Sequence, residues 1–408
     1  MKIDTSIFLQ TIRTGGVCHK VNDYEILTDA NNLYDSYKKC CKGCDWKKSV
    51  QTYEANYLKN IYHSQQELSN QNYQPRPFNE FELNDRGRQR DIKAVDIHDR
   101  VVIKNLCDNV LVPELGKYMI YDNGASVKGK GFDFAINRFE EHLKKYYRHY
   151  GNEGYVLKID FSKFFDNIDH VKLFTILEQY IDDERILDIL HILIDSFRID
   201  VSNLSDEEIS MYDNTAFDIL KYQKECTLNE LNNSGDKFLD RSIGIGSQVS
   251  QIIGLLYPTK IDNYCKIVRG MKYYGRYMDD IYVIHPSKEF LTQLLSDIFN
   301  IASELGIFIN IKKTQIIKLT NGVTFLKVRF ILTDSGKIIK LSCKDKVKIL
   351  KRKLRKFASM YYNYEMEYID IYQYYKSWRN NVNNHYNSYT LLQETDKYFY
   401  ELFRERRE

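Results

Sequence analysis

The order of apolar and polar residues predicts a helical first part of the chain. In SVQTYEANYLKNIYHSQQEL (residues 49–68), apolar residues recur at helical spacing, and Ser49 is the predicted N-cap. The stripe consists of Val50, Tyr53, Tyr57, Ile61 and Leu68. Pro-punctuated extended chain follows, with a hairpin predicted at Asp85–Gly87, and residues 132–149 return to helical spacing.

The pattern changes at residue 155, where strands are predicted between helices. YVLKIDFSKFF (155–165) is typical of a buried strand, and residues 169–181 and 247–268 have helical spacing. KYYGRYMDDIYVIH (272–285) predicts strand, turn and strand, and residues 306–319 and 324–332 predict further strands. Because no regular β–α–β rhythm is present, the pattern predicts an α+β sheet with helices on one face.

Composition and charge describe a globular chain with segregated basic residues. The 408 residues are 43% hydrophobic and 28% charged, with a net charge of +3. KDKVKILKRKLRK (344–356) carries eight positive residues against one negative, whereas residues 200–240 are acidic. The apolar runs fall short of the roughly 18–20 residues that span a membrane, and the N-terminus lacks the features of a secretory signal. A cytoplasmic protein without a membrane partner is therefore expected.

Cysteine usage predicts reduced thiols. Eight cysteines are present, and three of them fall in CCKGCDW, as Cys40, Cys41 and Cys44. Cys41 and Cys44 have the spacing of half a zinc site, but no second Cys or His pair follows at a suitable distance. Thiols without metal are the favoured interpretation, with zinc as the alternative.

Carboxylates flanked by apolar residues point to metal chemistry. Asp279 and Asp280 lie side by side in GRYMDDIYVIH (275–285), and Asp160 ends the apolar strand predicted at 155–160. If these strands are neighbours, three carboxylates meet, and they repel unless cations neutralise them. Oxygen ligands without His or Cys favour two Mg²⁺ ions, with Mn²⁺ as an alternative, about 3.5–4 Å apart, as in phosphoryl transfer.

Several segments resemble reverse transcriptase motifs and occur in the order of that family. They are HDRVVIKNL (98–106), ASVKGKGFDFAI (125–136), DFSKFFDNIDH (160–170), IGIGSQVSQ (243–251), YMDD (277–280), GIFINIKKT (306–314), FLKVRF (325–330) and SWRNNVNNHYNSY (377–389). The resemblance implies a right-hand polymerase, an α+β fold with an antiparallel palm sheet and a helical thumb. It implies an N-terminal extension and fingers at 1–150, a palm at 151–335 and a thumb at 336–408.

The resemblance also implies roles for individual residues around the metals. Asp160, Asp279 and Asp280 would bind metal with help from the Phe161 carbonyl, and Lys313 would act as a general acid near the leaving pyrophosphate. An ordinary surface lysine is the alternative for Lys313.

Further residues are implied to contact the substrates. Phe165 falls on the sugar-gate position that excludes a 2′-hydroxyl, with a plain core residue as the alternative. Arg88 and Arg90 match basic residues that hold the incoming triphosphate, with a solvated hairpin as the alternative. Tyr277 of the YMDD box and Gly246 of the template-positioning motif are also implied to contact substrate. The basic 344–356 run, placed in the thumb, is expected to follow a nucleic-acid backbone.

The sequence departs from the family pattern at three places. Gly244-Ile245 stands where Pro-Gln is usual, and Lys327 stands where Gly usually follows Phe-Leu. An acidic insertion spans about residues 198–240 and has no assigned role; an accessory subunit or shielding of the cleft would explain it. The first two changes bear on template handling.

The resemblance implies an RNA-directed DNA polymerase that copies a dedicated, structured non-coding RNA into DNA from dNTPs. Because the sequence ends after the thumb, a group II intron enzyme is disfavoured. A compact bacterial enzyme, defence-associated (antiphage) or of a diversity-generating element, is the expected subgroup. An accessory protein or a homo-oligomer is a further expected partner. The alternatives are mutagenic or untemplated synthesis, a catalytically idle RNA-binding scaffold, and a nuclease.

Overall fold

The computed structural model describes residues 22–85, 88–212, 214–228, 235–342 and 344–404. These residues form two compact units that interleave along the chain. Unit 1 contains the described residues up to Lys117 together with His170–Ser205 and Ile219–Ile252. Unit 2 contains Tyr118–Asp169, Asp206–Asp218 and the described residues from Ile253 onward. The domain boundaries proposed near residues 150 and 335 stay a prediction.

Helices make up most of the described chain. In order they are α1 (Asp23–Thr28), α2 (Ala30–Cys41), α3 (Lys48–Ala55), α4 (Tyr57–Ser69), α5 (Ile97–Leu106), α6 (Val112–Gly116), α7 (Phe132–Tyr150), α8 (His170–Leu177), α9 (Glu184–Asp195), α10 (Asp206–Met211), α11 (Ile219–Leu228), α12 (Gln248–Leu256), α13 (Thr259–Asn263), α14 (Lys288–Glu304), α15 (Lys344–Tyr362), α16 (Tyr368–His385) and α17 (Tyr389–Leu402).

The strands are short and pair in antiparallel fashion. In order they are β1 (Asn79–Asp85), β2 (Arg88–Ala94), β3 (Tyr155–Asp160), β4 (Ile199–Asp200), β5 (Phe238–Leu239), β6 (Tyr274–Tyr277), β7 (Asp280–His285), β8 (Gln315–Lys318), β9 (Val323–Phe325), β10 (Val328–Leu332) and β11 (Ile338–Ser342). The β1–β2 pairing confirms the predicted hairpin, although Arg86 and Gly87 of its turn lie outside the described residues.

In unit 1 the predicted helix over 49–68 is divided in two. Asn56 leaves the helical conformation at φ −129° and ψ 28°, so that α3 ends before it and α4 begins after it. Asparagine favours such breaks because its side chain competes for backbone hydrogen bonds. The prediction that Ser49 is the N-cap was wrong, because Lys47 holds that position and Ser49 lies inside α3. Four of the five predicted stripe residues are buried, with Tyr57 half-buried.

In unit 2 a four-stranded antiparallel sheet has the strand order β6-β7-β3-β8. Helix α14 packs against β3, β7 and β8, and α7 packs against β6 and β7. Four consecutive residues of β7, Ile281–Ile284, are buried. Successive strand residues point to opposite faces, so both faces of β7 are covered. The prediction of helices on one face was therefore wrong for this sheet.

A second sheet, with the order β11-β10-β9, shares its core with the first. The ring of Phe139 in α7 contacts Tyr282 of the first sheet and Phe325 and Phe330 of the second, at centroid distances of 4.6, 5.2 and 4.8 Å. Residues 324–332, predicted as strand, form two strands that reverse at Leu326 and Lys327.

The predicted helix over 247–268 is interrupted before Thr259, where Pro258 lacks the N–H a continuous helix needs.

Helices α15, α16 and α17 pack around a separate apolar cluster of unit 2. Its buried members include Leu350, Leu354, Ile371, Tyr375 and Phe399. The helical character that the resemblance implied for the last part of the chain is confirmed for the described residues between Lys344 and Leu402. No helix among the described residues is both long enough and apolar enough to cross a membrane.

Candidate active site

The two adjacent aspartates lie at the tip of the β6–β7 hairpin in unit 2. Tyr277 pairs with Asp280, so Met278 and Asp279 form a two-residue turn. Met278 has φ of +54°, a conformation that most L-residues avoid. The half-buried Tyr277 packs its ring against the core below the turn. This local geometry places Asp279 in the turn and Asp280 at the start of β7.

The third aspartate lies beside this hairpin. Strand β3 pairs with β7 over six residue pairs, from Tyr155 opposite His285 to Asp160 opposite Asp280. Asp160 ends β3, and its carbonyl accepts a hydrogen bond from the Asn310 N–H at 2.8 Å. Residues opposite each other in antiparallel strands have Cα atoms about 4.5–5.5 Å apart. The register therefore brings the Asp160 and Asp280 positions together.

Burial and the nearby negative charges change the pKa of one carboxyl group in the site. Burial, followed by the negative charges of Asp280 and Asp160, raises the pKa of the Asp279 carboxyl to about 6. The ammonium of Lys313 opposes this shift. Lys313 Nζ lies 2.6 Å from Asp160 Oδ2, so a positive charge already neutralises one of the three carboxylates.

Within the described ranges, no group of three or more Asp, Glu, His or Cys side chains is arranged to hold a metal ion. The donor set nevertheless fits a hard divalent cation, because three carboxylates occupy neighbouring positions. Burial first, and then the negative charges of Asp280 and Asp160, raise the pKa of Asp279. A cation would remove the repulsion among these charges. Metal binding by Asp160, Asp279, Asp280 and the carbonyl of Phe161 stays a prediction.

Phe165 lies on the turn that follows β3. It begins a 3₁₀ turn over Phe165–Asn167, and its ring lies against Gly254 of α12. A Cβ added at Gly254 would lie 3.1 Å from Phe165 Cε1, so glycine is what allows the ring this close to the helix. Phe165 is half-buried, in contrast to the buried Phe164 beside it. The sugar-gate role of Phe165 stays a prediction.

A buried ion pair below the hairpin was missed by sequence reasoning. The Arg276 guanidinium donates to both carboxylate oxygens of Asp262, with Nη2 to Oδ2 at 2.7 Å, and both side chains are fully buried. Arg276 Nη1 also donates to the Met278 carbonyl at 3.1 Å. A signal was present in the sequence, because an arginine inside an otherwise apolar strand requires a buried partner.

The remaining predicted site residues belong to unit 1 and are described there. Arg88 and Arg90 lie in β2, where Arg90 is half-buried, and the structure does not describe the Arg88 side chain. Gly246 has φ of +129°, and a Cβ there would lie 3.0 Å from the Lys93 carbonyl oxygen. Glycine is thus required for the loop before α12 to approach β2. Substrate contacts by these three residues stay predictions.

The reverse transcriptase (RNA-dependent DNA polymerase) family model matches residues 114–330, which is just over half of the chain. The chain belongs to the reverse transcriptase family. The matched range includes Asp160, Phe165, Asp279, Asp280 and Lys313. Membership confirms the predicted right-hand polymerase class, and the antiparallel sheets with their helices confirm the α+β fold.

A curated relative and several solved structures are similar to this chain. The putative COX1/OXI3 intron 2 protein of Saccharomyces cerevisiae is 27% identical over 236 residues, which cover 51% of this chain and 27% of that protein. The matched region thus spans about a quarter of the relative's length.

Two telomerase structures also align. Telomerase from Candida albicans, in complex with a TWJ fragment of telomeric RNA, is 15% identical and covers 69% of this chain and 49% of its own, at a TM-score of 0.42. Apo telomerase from Candida tropicalis, truncated from its C-terminal domain, is 12% identical. The alignment covers 65% of this chain and 55% of the telomerase chain, at a TM-score of 0.45.

Proposed function

We propose that this chain is an RNA-directed DNA polymerase that extends a DNA strand with dNTPs on a structured RNA template. The supporting observation is the pairing of Asp160 with Asp280 next to the turn that carries Asp279, in a chain of the reverse transcriptase family. Carboxylates gathered at the neighbouring ends of two paired strands are suitable ligands for the two metal ions used in nucleotidyl transfer.

Each residue of the site has a task in this proposal. Asp160, Asp279 and Asp280 would hold two Mg²⁺ ions, or Mn²⁺. When bound, these would activate the attacking 3′ oxygen and stabilise the leaving pyrophosphate. Lys313, whose ammonium is paired with the Asp160 carboxylate, would give a proton to the leaving pyrophosphate. Phe165 excludes a 2′-hydroxyl by its bulk, and Arg88 and Arg90 hold the triphosphate through bidentate hydrogen bonds.

A primer-extension assay tests the proposal. The full chain is supplied with a DNA primer on an RNA template, dNTPs and Mg²⁺, and compared with the variant Asp279→Asn/Asp280→Asn. We expect extension to fall by at least about 10³-fold in the variant, because the stabilisation of developing charge is lost. Asp182→Asn, an exposed carboxylate in unit 1, is the matched control and should retain extension. Equal extension by the double variant and the wild type would contradict the proposal.

The same assay separates the other candidate activities. A nuclease would shorten the labelled DNA with Mg²⁺ instead of lengthening it. A catalytically idle RNA-binding scaffold would give no extension in either protein, and its biological activity would survive the double substitution. Synthesis without a template would continue after the RNA is omitted, and mutagenic copying would appear as errors in the sequenced product.

We further propose that the template is a dedicated non-coding RNA and that the protein acts in bacterial antiphage defence. The resemblance of the 98–106, 125–136 and 377–389 segments to motifs of bacterial enzymes supports this role. Similarity to an intron protein supports a second candidate, an intron RNA as template. Sequencing the RNA and DNA that co-purify with the protein distinguishes them. A neighbouring non-coding RNA gene favours defence, a variable-repeat target favours a diversity-generating element, and intron RNA favours the second candidate.

A further inference from the structure

The acidic insertion, for which the sequence suggested no definite role, is divided between the two units. Its segment Asp206–Asp218 belongs to unit 2, whereas its described residues within 198–205 and 219–240 belong to unit 1. Asp213 lies outside the described residues. We call Asp206–Asp218 the insertion segment. It contains α10, and near its end the Phe217 side chain is fully buried, with its ring 4.6 Å from that of Tyr212.

The insertion segment is hydrogen-bonded to the turn that follows β3. The Phe217 N–H donates to Asn167 Oδ1 at 2.7 Å, and Asn167 Nδ2 donates to the Phe217 carbonyl at 3.0 Å. The side-chain amide of Asn167 thereby pairs with the main chain of Phe217 as a second strand would. Asn167 is 3% exposed, and buried hydrogen bonds of this kind are costly to break.

A second connection lies on the other side of the same turn. Lys163 Nζ lies 2.8 Å from Asp218 Oδ1. The Lys163 carbonyl also accepts a hydrogen bond from Asn167 Nδ2 at 2.9 Å, which closes the turn on itself. Lys163 has φ of +47°, so its backbone is held in a conformation that an L-residue seldom adopts without support.

These two connections flank Phe165 symmetrically. Lys163 precedes it by two residues and Asn167 follows it by two, and both contact the end of the insertion segment. The Phe165 ring itself lies against Gly254. The backbone turn that carries this ring is thus bonded to the insertion segment on both sides of Phe165.

We propose that the insertion segment positions Phe165 and thereby sets the discrimination between deoxyribonucleotides and ribonucleotides. Asn167 is the main positioning residue, and it acts through the turn without contacting the nucleotide. A steric gate depends on the placement of its ring, and a displacement of about 1 Å in an active site can cost 10²-fold. This inference rests on the proposed polymerase function and on the sugar-gate role of Phe165.

The test compares incorporation of dNTPs and rNTPs by the full chain in single-nucleotide primer extension. The variants are Asn167→Ala, which removes the amide, and Asn167→Asp, which keeps its size but loses the two N–H donors. Phe165→Ala is the reference for a lost gate, and Glu207→Gln, an exposed residue of the same segment, is the matched control. Thermal unfolding of each variant identifies any that fail to fold.

We expect the ratio of kcat/KM for dNTP to kcat/KM for rNTP to fall roughly 10-fold or more in both Asn167 variants. The change should come mainly from improved rNTP use, and the Glu207→Gln control should match the wild type. Hydrogen–deuterium exchange of residues 161–168 should rise in the Asn167 variants. If Asn167→Ala does not fold, Phe217→Leu, which shortens the buried side chain while keeping the main chain, is judged by the same two measurements.

The possible results distinguish the positioning role of the insertion segment from the proposed polymerase activity on which it rests. A wild type that incorporates no dNTP overturns the polymerase proposal. A wild type that discriminates, with folded Asn167 or Phe217 variants that discriminate equally well, overturns the positioning role alone. Loss of dNTP use without any change in the ratio also overturns it, because a purely structural role would reduce both substrates together.

Discussion

Two hairpins of unit 2 make the same tight reversal with different support. The β6–β7 hairpin turns at Met278 and Asp279, and the β9–β10 hairpin turns at Leu326 and Lys327. Positive φ values occur at Met278 (+54°), Leu326 (+46°) and Lys327 (+63°). Two-residue hairpin turns favour Gly, Asn or Asp at such positions, so each hairpin requires compensation from its surroundings.

The compensation is polar in the first hairpin and largely apolar in the second. Arg276 holds the Met278 carbonyl from below, and Asp262 balances its charge. In the second hairpin, the flanking Phe325 and Val328 are buried in the shared core. Hydrogen bonds fix direction, whereas apolar packing tolerates small shifts. The Met278 carbonyl accepts its hydrogen bond from a buried guanidinium at 3.1 Å, whereas the Lys327 carbonyl of the second turn accepts a longer one, 3.5 Å, from Tyr386 Oη. The turn that carries Asp279 is therefore the more firmly oriented of the two.

The largest expected effect comes from breaking the buried ion pair. Arg276→Leu leaves the Asp262 carboxylate buried without its partner, so the free energy of unfolding should fall by about 3–5 kcal/mol. Urea unfolding at pH 7 measures it. Arg329→Leu in the second hairpin, where an exposed arginine bonds the Asn321 carbonyl, is the matched control and should cost less than about 1 kcal/mol.

A double variant sharpens this result. Arg276→Leu/Asp262→Leu removes both charges, so much of the lost stability should return while the Met278 carbonyl loses its donor. Recovered stability with reduced primer extension would assign Arg276 to orientation of the turn. If the two arginine variants lose similar stability, the contrast between the hairpins is wrong.

A strand of the first hairpin also contacts a buried histidine, His142, which makes the free energy of unfolding of the protein depend on pH. His142 Nδ1 lies 3.0 Å from Tyr282 Oη in β7, and burial lowers the pKa of His142 to about 4, against the opposing charge of Asp122. Arg138, Lys266 and Glu141 also act on the ring. Since the unfolded chain binds the proton at a pKa near 6.5, this contribution is complete above pH 6.5 and is lost as the pH falls toward 4.

The wild type should therefore lose about 2 kcal/mol of unfolding free energy from this group between pH 7 and pH 5. His142→Gln should reduce the slope over that interval by this amount, whatever its effect at pH 7. His149→Gln, an exposed histidine of the same helix, serves as the control and should follow the wild type. Identical slopes in all three proteins would exclude a neutral buried His142.

The smallest expected effect concerns the second turn. Lys327 is exposed and stands where the family usually has Gly, so Lys327→Gly relieves the cost of a positive φ, about 1–2 kcal/mol, against an entropic cost of about 0.5–1 kcal/mol. A net gain of up to about 1 kcal/mol is expected in urea unfolding. Lys337→Gly, an exposed lysine in the neighbouring turn without a positive φ, should instead lose stability. Equal losses in both variants would contradict backbone strain at Lys327.

Local sequence pattern was sufficient to predict an element when all the residues that define the element lie in one short segment. The alternation of KYYGRYMDDIYVIH predicted strand, turn and strand, which the structure has. The sequence also indicated that Asp160, Asp279 and Asp280 would meet if their strands were neighbours, and the pairing of β3 with β7 meets that condition. Local pattern failed at Asn56 and Leu326, where a single backbone conformation divided a predicted element. Such breaks depend on packing from distant residues, which periodicity does not contain.

The sequence by itself determined which residues could take part in chemistry and in which order the family motifs follow one another. Both depend only on residue identity and on spacing along the chain. Only the tertiary structure decided that Lys313 neutralises Asp160, that Arg276 and Asp262 pair below the turn, and that Asn167 binds the insertion segment. These contacts join residues 153, 14 and 50 positions apart. Their formation depends on the geometry that the folded chain creates, because the backbone must hold both partners within reach. The Arg276–Asp262 pair and the Asn167 hydrogen bond are buried as well, whereas Lys313 is half-exposed where it meets Asp160.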